Sequence, residues 1–188
     1  MRTPVLALAA LLTAAAAAPA SGADTPENLF IKSEPDPSGG AAGRVQGGID
    51  IPAPPAAVWR VMLDCPKALR IVPKLKSCTI VEGDATAGSD VREHRIAGPL
   101  GMVRHVFRST YVPLRSITTT RVAGDLKLAE GVWRLQPMDG GRATRVSYDS
   151  RLAISAPVPG GFVRSAMRRD TPQVLRALRR EAVAAAGG

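Results

Sequence analysis

The feature that most restricts this chain is a change in hydrophobic period. After Lys76, apolar residues recur at about every second position through six consecutive stretches, 78–82, 90–96, 102–112, 115–123, 127–136 and 144–154. A period of two sets one face of a strand against a core and leaves the other in water. Turn signals separate most of the stretches: Gly83-Asp84, Gly98-Pro99-Leu100-Gly101, Gly124-Asp125 and Asp139-Gly140-Gly141. Connections this short leave no length for a crossover helix, so the six stretches predict an antiparallel meander. One further strand, 45–51, precedes them and is broken by Pro52-Ala53-Pro54-Pro55.

Helical spacing flanks the meander. Residues 55–64 place Val58, Met62 and Leu63 on one face with Trp59, and Pro54 or Pro55 suits the first turn. Pro66 ends this helix, and a second short one over 67–72 stops at Pro73. Residues 159–186 form the long helix. Val163, Met167, Val174 and Leu178 make its apolar stripe, with Phe162, Ala166 and Leu175 beside it. Arginines 164, 168, 169, 176, 179 and 180 surround that stripe. Thr171-Pro172 is a cap-and-first-turn signal inside the pattern and predicts a kink or two consecutive helices. The order predicts an α+β domain with a seven-stranded antiparallel sheet. Only the long C-terminal helix is large enough to cover the sheet's apolar face. If the sheet curls around that helix, any gap between them becomes a ligand cavity.

The N-terminus bears on which partners this domain can meet. Residues 1–23 have Arg2 as a positive start, an apolar Leu- and Ala-rich run from Val5 to Ala18, and Ser21-Gly22-Ala23 as a small-residue cleavage site. They read as a signal peptide cut after Ala23, which predicts a periplasmic or secreted protein. Residues 24–44, rich in Pro, Gly, Ser and acid, read as a flexible lead-in in which Leu29-Phe30-Ile31 could form an edge strand; the domain proper is expected over 45–186. The 188 residues carry a net charge of +9, which invites a nucleic-acid partner. Export and seven scattered aromatics argue against that partner, because single-stranded nucleic acid needs a stacking platform. The basic C-terminal helix has two readings, a solvated face opposite a core stripe or a dock for anionic lipid head groups.

The two cysteines, Cys65 and Cys78, bracket the short second helix. In an oxidising compartment two thiols in one small domain tend to pair, and a disulfide here would tie the helical insert to the start of the second strand. No G-x-S-x-G, P-loop, G-x-G-x-x-G or H-E-x-x-H occurs, and the two histidines lie on different expected strands. Neither a metal nor a cofactor is expected. On the strand over 102–112, Val103, His105, Phe107 and Tyr111 share one face, which places an ionisable group beside the expected cavity. On 90–96 the frame is ambiguous: either Glu93 and Arg95 or Arg92 and His94 could point inward, since Val91 and Ile96 have opposite parity.

Several packing signatures carry a family resemblance. They are Ile49-Asp50-Ile51-Pro52-Ala53-Pro54 leading into Val58-Trp59, then Asp64, and Ile71-Val72-Pro73-Lys74-Leu75-Lys76. Later come Gly131-Val132-Trp133-Arg134-Leu135, the Gly140-Gly141 turn and Thr144-Arg145-Val146-Ser147-Tyr148. Together with the element order they resemble the helix-grip fold of the START-like (SRPBCC) superfamily, which includes polyketide cyclases/dehydrases, coenzyme Q-binding proteins and lipid-transfer domains. The resemblance implies a curved sheet around the last helix and a pocket for a lipid, quinone or polyketide-like molecule. The residues expected to line it are Trp59, Val103, His105, Phe107, Tyr111, Trp133, Leu135, Tyr148, Val163 and Met167. Three functions stay open: a non-catalytic carrier, a cyclase/dehydrase-type enzyme using His105 with Tyr111 or Glu93, and an interaction module of the cell envelope.

Overall fold

The computed structural model describes residues 26–98, 101–155 and 158–187. The expected signal peptide therefore lies outside the described residues. The elements run β1 (Phe30–Pro35), β2 (Ala42–Ile51), α1 (Pro55–Leu63), α2 (Cys65–Ile71), β3 (Leu75–Asp84), β4 (Ser89–Gly98), β5 (Gly101–Val112), β6 (Ser116–Gly124), β7 (Leu126–Met138), β8 (Ala143–Ile154) and α3 (Gly160–Ala186). All eight strands form one antiparallel sheet in the order β1-β2-β8-β7-β6-β5-β4-β3. Apart from the step from β2 through the two short helices to β3, every sheet neighbour is also a chain neighbour or closes the β2–β8 seam. This is a helix-grip architecture, with α3 held against β1, β2 and β8 on the concave side.

The sheet has eight strands where the periodicity predicts seven, because the optional edge strand forms. Leu29 and Ile31 pack against the core cluster, while Phe30 turns outward and lies half exposed over Gly48. Composition conceals β1, since its neighbours are prolines and acids. It is secured by polar ties instead: Asn28 donates to Asp50, Arg176 pairs with Glu27, and Arg151 donates to Asp36.

Local rules account for the helices. Pro55 opens α1 at a position where its missing N–H costs nothing. Pro66 both ends α1 and opens α2, whose N-cap is Asp64, accepting from the Lys67 amide at 2.9 Å. The second helix therefore starts at Cys65, two residues before the expected start. The long helix continues through Pro172 as one element, so two consecutive helices do not form.

Packing along α3 changes character midway. Leu175, Ala177, Leu178 and Ala182 in its C-terminal half join Ile49, Ile51, Val58, Val61, Leu135 and Val146 in a filled core. Each fully buried aliphatic side chain of this kind contributes roughly 1.5–3 kcal/mol. The N-terminal half lies close against β2, where Arg164 and Met167 crowd Gly43, but leaves space over the neighbouring strands, and Phe162, expected beside the stripe, is 45% exposed.

Candidate functional site: a two-lobed cavity between sheet and helices

Between the sheet, α2 and α3 lies a cavity with two adjoining lobes, one of about 360 Å³ under the N-terminal half of α3 and one of about 140 Å³ beneath Val174 and Leu178. Val72, His94, Phe107, Thr119, Trp133 and Val174 border both. Strand alternation delivers the walls. β4 turns Arg92, His94 and Ile96 inward, and β5 turns His105, Phe107, Ser109 and Tyr111 inward. β7 contributes Trp133 and β8 contributes Tyr148, whose rings stack with centroids 3.9 Å apart. Ala166, Met167 and Val174 of α3 form the roof, with Ala68 and Ile71 of α2 beside them.

Of the residues expected to line a pocket, His105, Phe107, Tyr111, Trp133, Tyr148 and Met167 border this cavity. Trp59 and Leu135 sit in the filled core, with Trp59 meeting Tyr111 edge-on at 6.1 Å. Val103 and Val163 border neither lobe; Val163 is buried and Val103 lies by Gly98 toward the end of the β4–β5 hairpin. Glu93 projects from the outer face, where Arg104 and Arg95 donate to it at 2.7 and 3.0 Å, so it does not reach His105.

The ambiguous frame on β4 resolves with Arg92 and His94 inward. His94 is the register partner of His105 on β5, so the two imidazoles occupy neighbouring positions on the cavity face. The ring of Phe107 stacks on His105 at 4.7 Å and meets His94 edge-on at 4.8 Å. Burial lowers the His94 pKa to about 4, helped by the charges of His105 and Arg92. Burial also lowers that of His105 to about 4, helped by Arg121. Both rings are therefore neutral at neutral pH. His94 Nε2, His105 Nδ1 and Tyr111 Oη are buried, and no group among the described residues hydrogen-bonds to them. The Tyr111 hydroxyl lies near Ser109 and the Asp90–Arg92 pair, and burial pushes its pKa up to about 12.

Sequence reasoning missed the adjoining ion pair. Arg92 donates to both oxygens of Asp90 at 2.8–3.1 Å and to the Leu63 carbonyl at 3.0 Å. The side chains are 6% and 0% exposed, so the pair fastens the end of α1 to β4 beside the smaller lobe. An Asp-x-Arg on one strand face is a visible signal only once the frame is known.

The disulfide Cys65–Cys78 joins the start of α2 to β3 with a Cα separation of 5.4 Å. Arg70 donates to both oxygens of Glu181 at 2.8 Å and ties α2 to α3. The α2 side of the roof is thus held by a covalent bond and an ion pair. Among the described residues no group of three or more His, Cys, Asp or Glu could hold a metal ion, and no helix is long and apolar enough to cross a membrane.

Similar folds occur among solved structures. A STAR-related lipid transfer protein from Xanthomonas axonopodis is 15% identical with a TM-score of 0.70, covering 85% of this chain and 96% of that one. The Zhui aromatase/cyclase from Streptomyces sp. R1128 is 18% identical with a TM-score of 0.65, covering 75% and 93%. A START superfamily protein from Mycobacterium smegmatis is 17% identical with a TM-score of 0.64, covering 74% and 96%. At these identities the likeness is one of fold. No curated protein matches the sequence significantly. The family model for polyketide cyclase/dehydrase and lipid transport matches residues 51–179, which takes in α1, α2, every strand from β3 to β8 and most of α3. The chain belongs to the polyketide cyclase/dehydrase and lipid transport family.

Proposed function

We propose that this protein is an exported, non-catalytic carrier that holds a hydrophobic small molecule or lipid in the cavity between the sheet and α3. The observation that carries this reading is the cavity itself, an aromatic- and aliphatic-lined space continuing the filled core. A general base is normally held by a partner that fixes its tautomer and orientation. His105 Nδ1 has no such partner among the described residues, and Glu93 is on the opposite face. Export is supported by the Arg2-led apolar N-terminus and by the Cys65–Cys78 bond, since disulfides persist in oxidising compartments. The lipid-transfer neighbour from Xanthomonas fits this reading.

The test is organic extraction of protein purified from the cell envelope, followed by mass spectrometry and thermal unfolding with added lipids and quinones. A ligand that binds only the folded state raises the melting temperature. A stoichiometric apolar molecule, or a concentration-dependent rise, is expected. An empty protein that no lipid or quinone stabilises refutes the carrier.

A cyclase/dehydrase reading is favoured by one observation, the neutral and unpartnered His105 on the cavity wall, which is able to take a proton. It predicts that His105→Gln abolishes turnover of a polyketide-like substrate while leaving its binding intact.

A further inference from the structure

Charged side chains are few on the cavity walls, and each is paired. Among the described residues three side chains of the charged types reach them, Arg92, Glu130 and Asp170, beside the two histidines. Arg92 is the only cation of the three; its Nε and Nη2 donate to Asp90 and to the Leu63 carbonyl, and its charge is paired with the buried Asp90 carboxylate. Glu130 and Asp170 are acids that pair outward with Arg151 and Arg169. Arg121, whose charge reaches His105, is exposed on the sheet and donates to the Gly124 carbonyl. A carboxylate or phosphate entering here would lose water and meet, among the described lining residues, only a cation already paired with an acid, at a cost of several kcal/mol in a buried site.

The walls nonetheless hold hydrogen-bonding capacity that no group among the described residues satisfies. His94 Nε2 and His105 Nδ1 lie on register-paired residues at the larger lobe, which His94 shares with the smaller one. Tyr111 Oη lies on the wall of the smaller lobe. Leaving a buried polar atom unpaired costs about 1–3 kcal/mol, so a bound group that pairs with it recovers that energy. A neutral imidazole donates from one nitrogen and accepts at the other, and a phenol does both. Hydroxyl and carbonyl oxygens complement these groups without bringing charge.

We propose that the cavity selects an uncharged apolar molecule bearing a hydroxyl or carbonyl oxygen, anchored by the His94–His105 pair with Tyr111 as a second polar seat, and rejects anionic lipids of the same size. The proposal rests on the carrier reading of this cavity and names the class of ligand within it.

The test compares three probes of matched shape, naphthalene, 2-naphthol and 2-naphthoate, binding to the full chain at neutral pH. Binding is read by calorimetry and by quenching of Trp133 emission. One recovered hydrogen bond is expected to make 2-naphthol bind about fivefold or more tighter than naphthalene. The carboxylate is expected to bind at least about tenfold more weakly than 2-naphthol. His94→Leu and His105→Leu should each erode the hydroxyl advantage while naphthalene still binds, and the glutamine variants should restore part of it. Equal or tighter binding of 2-naphthoate overturns the proposal, as does a hydroxyl advantage that survives both leucine variants. If naphthalene binds and 2-naphthol gains nothing, only the polar anchor falls. If none of the three binds, the carrier reading falls with it. Should a leucine variant not fold, the comparison of 2-naphthol with both naphthalene and 2-naphthoate on the unaltered chain decides the hydroxyl preference and the charge rejection.

Discussion

Acidification should destabilise this protein through its two histidines, well above the range in which carboxylates titrate. In the unfolded chain each imidazole takes up a proton near pH 6.5, whereas in the folded protein burial holds both near 4. Between those values the unfolded state binds more protons, so stability falls as pH falls. Integrating from neutral pH to pH 5 gives about 2 kcal/mol per ring and about 4 kcal/mol for the two. That is a large share of the roughly 5–15 kcal/mol that holds a typical domain together. Urea unfolding at pH 7.5, 6.5, 5.5 and 5.0 measures the effect. The parent midpoint should drop steeply across the series, and that of His94→Gln/His105→Gln should stay nearly flat. Carboxylates confuse the comparison only below about pH 5, where unfolded Asp and Glu begin to protonate. Imidazole NMR signals provide a direct check. Rings that titrate near 6.5 in the folded state, or a parent midpoint as flat as the double variant's, would refute the inward, water-excluded placement of both histidines.

Four other perturbations probe the frame around the cavity. Arg92→Met or Asp90→Leu alone should cost about 3–5 kcal/mol, because each leaves the other charge buried without a partner, while the double replacement should recover most of that loss; additive losses in denaturant unfolding would show that the pair is not coupled. Reducing Cys65–Cys78, or replacing both with serine, opens a loop of sequence separation 13 and should lower stability by about 3 kcal/mol, with α2 amides gaining hydrogen exchange before those of β2 and β8. Gly124→Ala should cost at least about 2 kcal/mol, since φ of +99° is a left-handed conformation and an added Cβ would overlap the Arg104 carbonyl; a melting temperature within a degree of the parent's would count against that turn. Below about pH 4 a second acid transition is expected, because Arg145 holds Asp50 and Arg44 holds Asp149 below the usual carboxylate range. Groups with lowered folded pKa values stabilise above the unfolded value and lose that contribution as pH falls through the folded one, so Asp50→Asn should blunt this lower transition in an acid titration followed by circular dichroism.

The architecture was legible wherever one segment carries its own signal. Alternation marked β3 to β8, proline marked the start of α1 and the break before α2, and a 3.6 period marked α3. Each of these follows from the residues of a single element. β1 was only half legible: its pattern is three residues long, and what secures it are pairings with distant residues, Asn28 to Asp50 and Asp36 to Arg151. The continuity of α3 through Pro172 was illegible for a related reason. Local rules favour a break there, and the contacts of the helix with β1, β2 and the two short helices keep it whole.

The site depends on register, which belongs to pairs of strands and appears in neither strand by itself. Nothing in the spacing from 94 to 105 shows that His94 and His105 face one another, since that follows from where the Gly98–Gly101 hairpin closes. A buried residue on the outer face hid the frame as well. Val91 is 2% exposed although its neighbours Asp90 and Arg92 point inward, and it sits opposite Arg108 and Glu82, whose ion pair spans the outer face there. Hydrophobicity taken as a mark of the inside therefore gives β4 two opposite parities, one from Val91 and one from Ile96. The polar residues do not settle the frame from sequence either: Asp90, Arg92 and His94 share a face by alternation, and it is the pairing of Asp90 with Arg92 that lets this polar face be the inner one. The charge selectivity proposed for the cavity follows from the same arrangement, because the arginine that could have received an anion is the one required to neutralise Asp90.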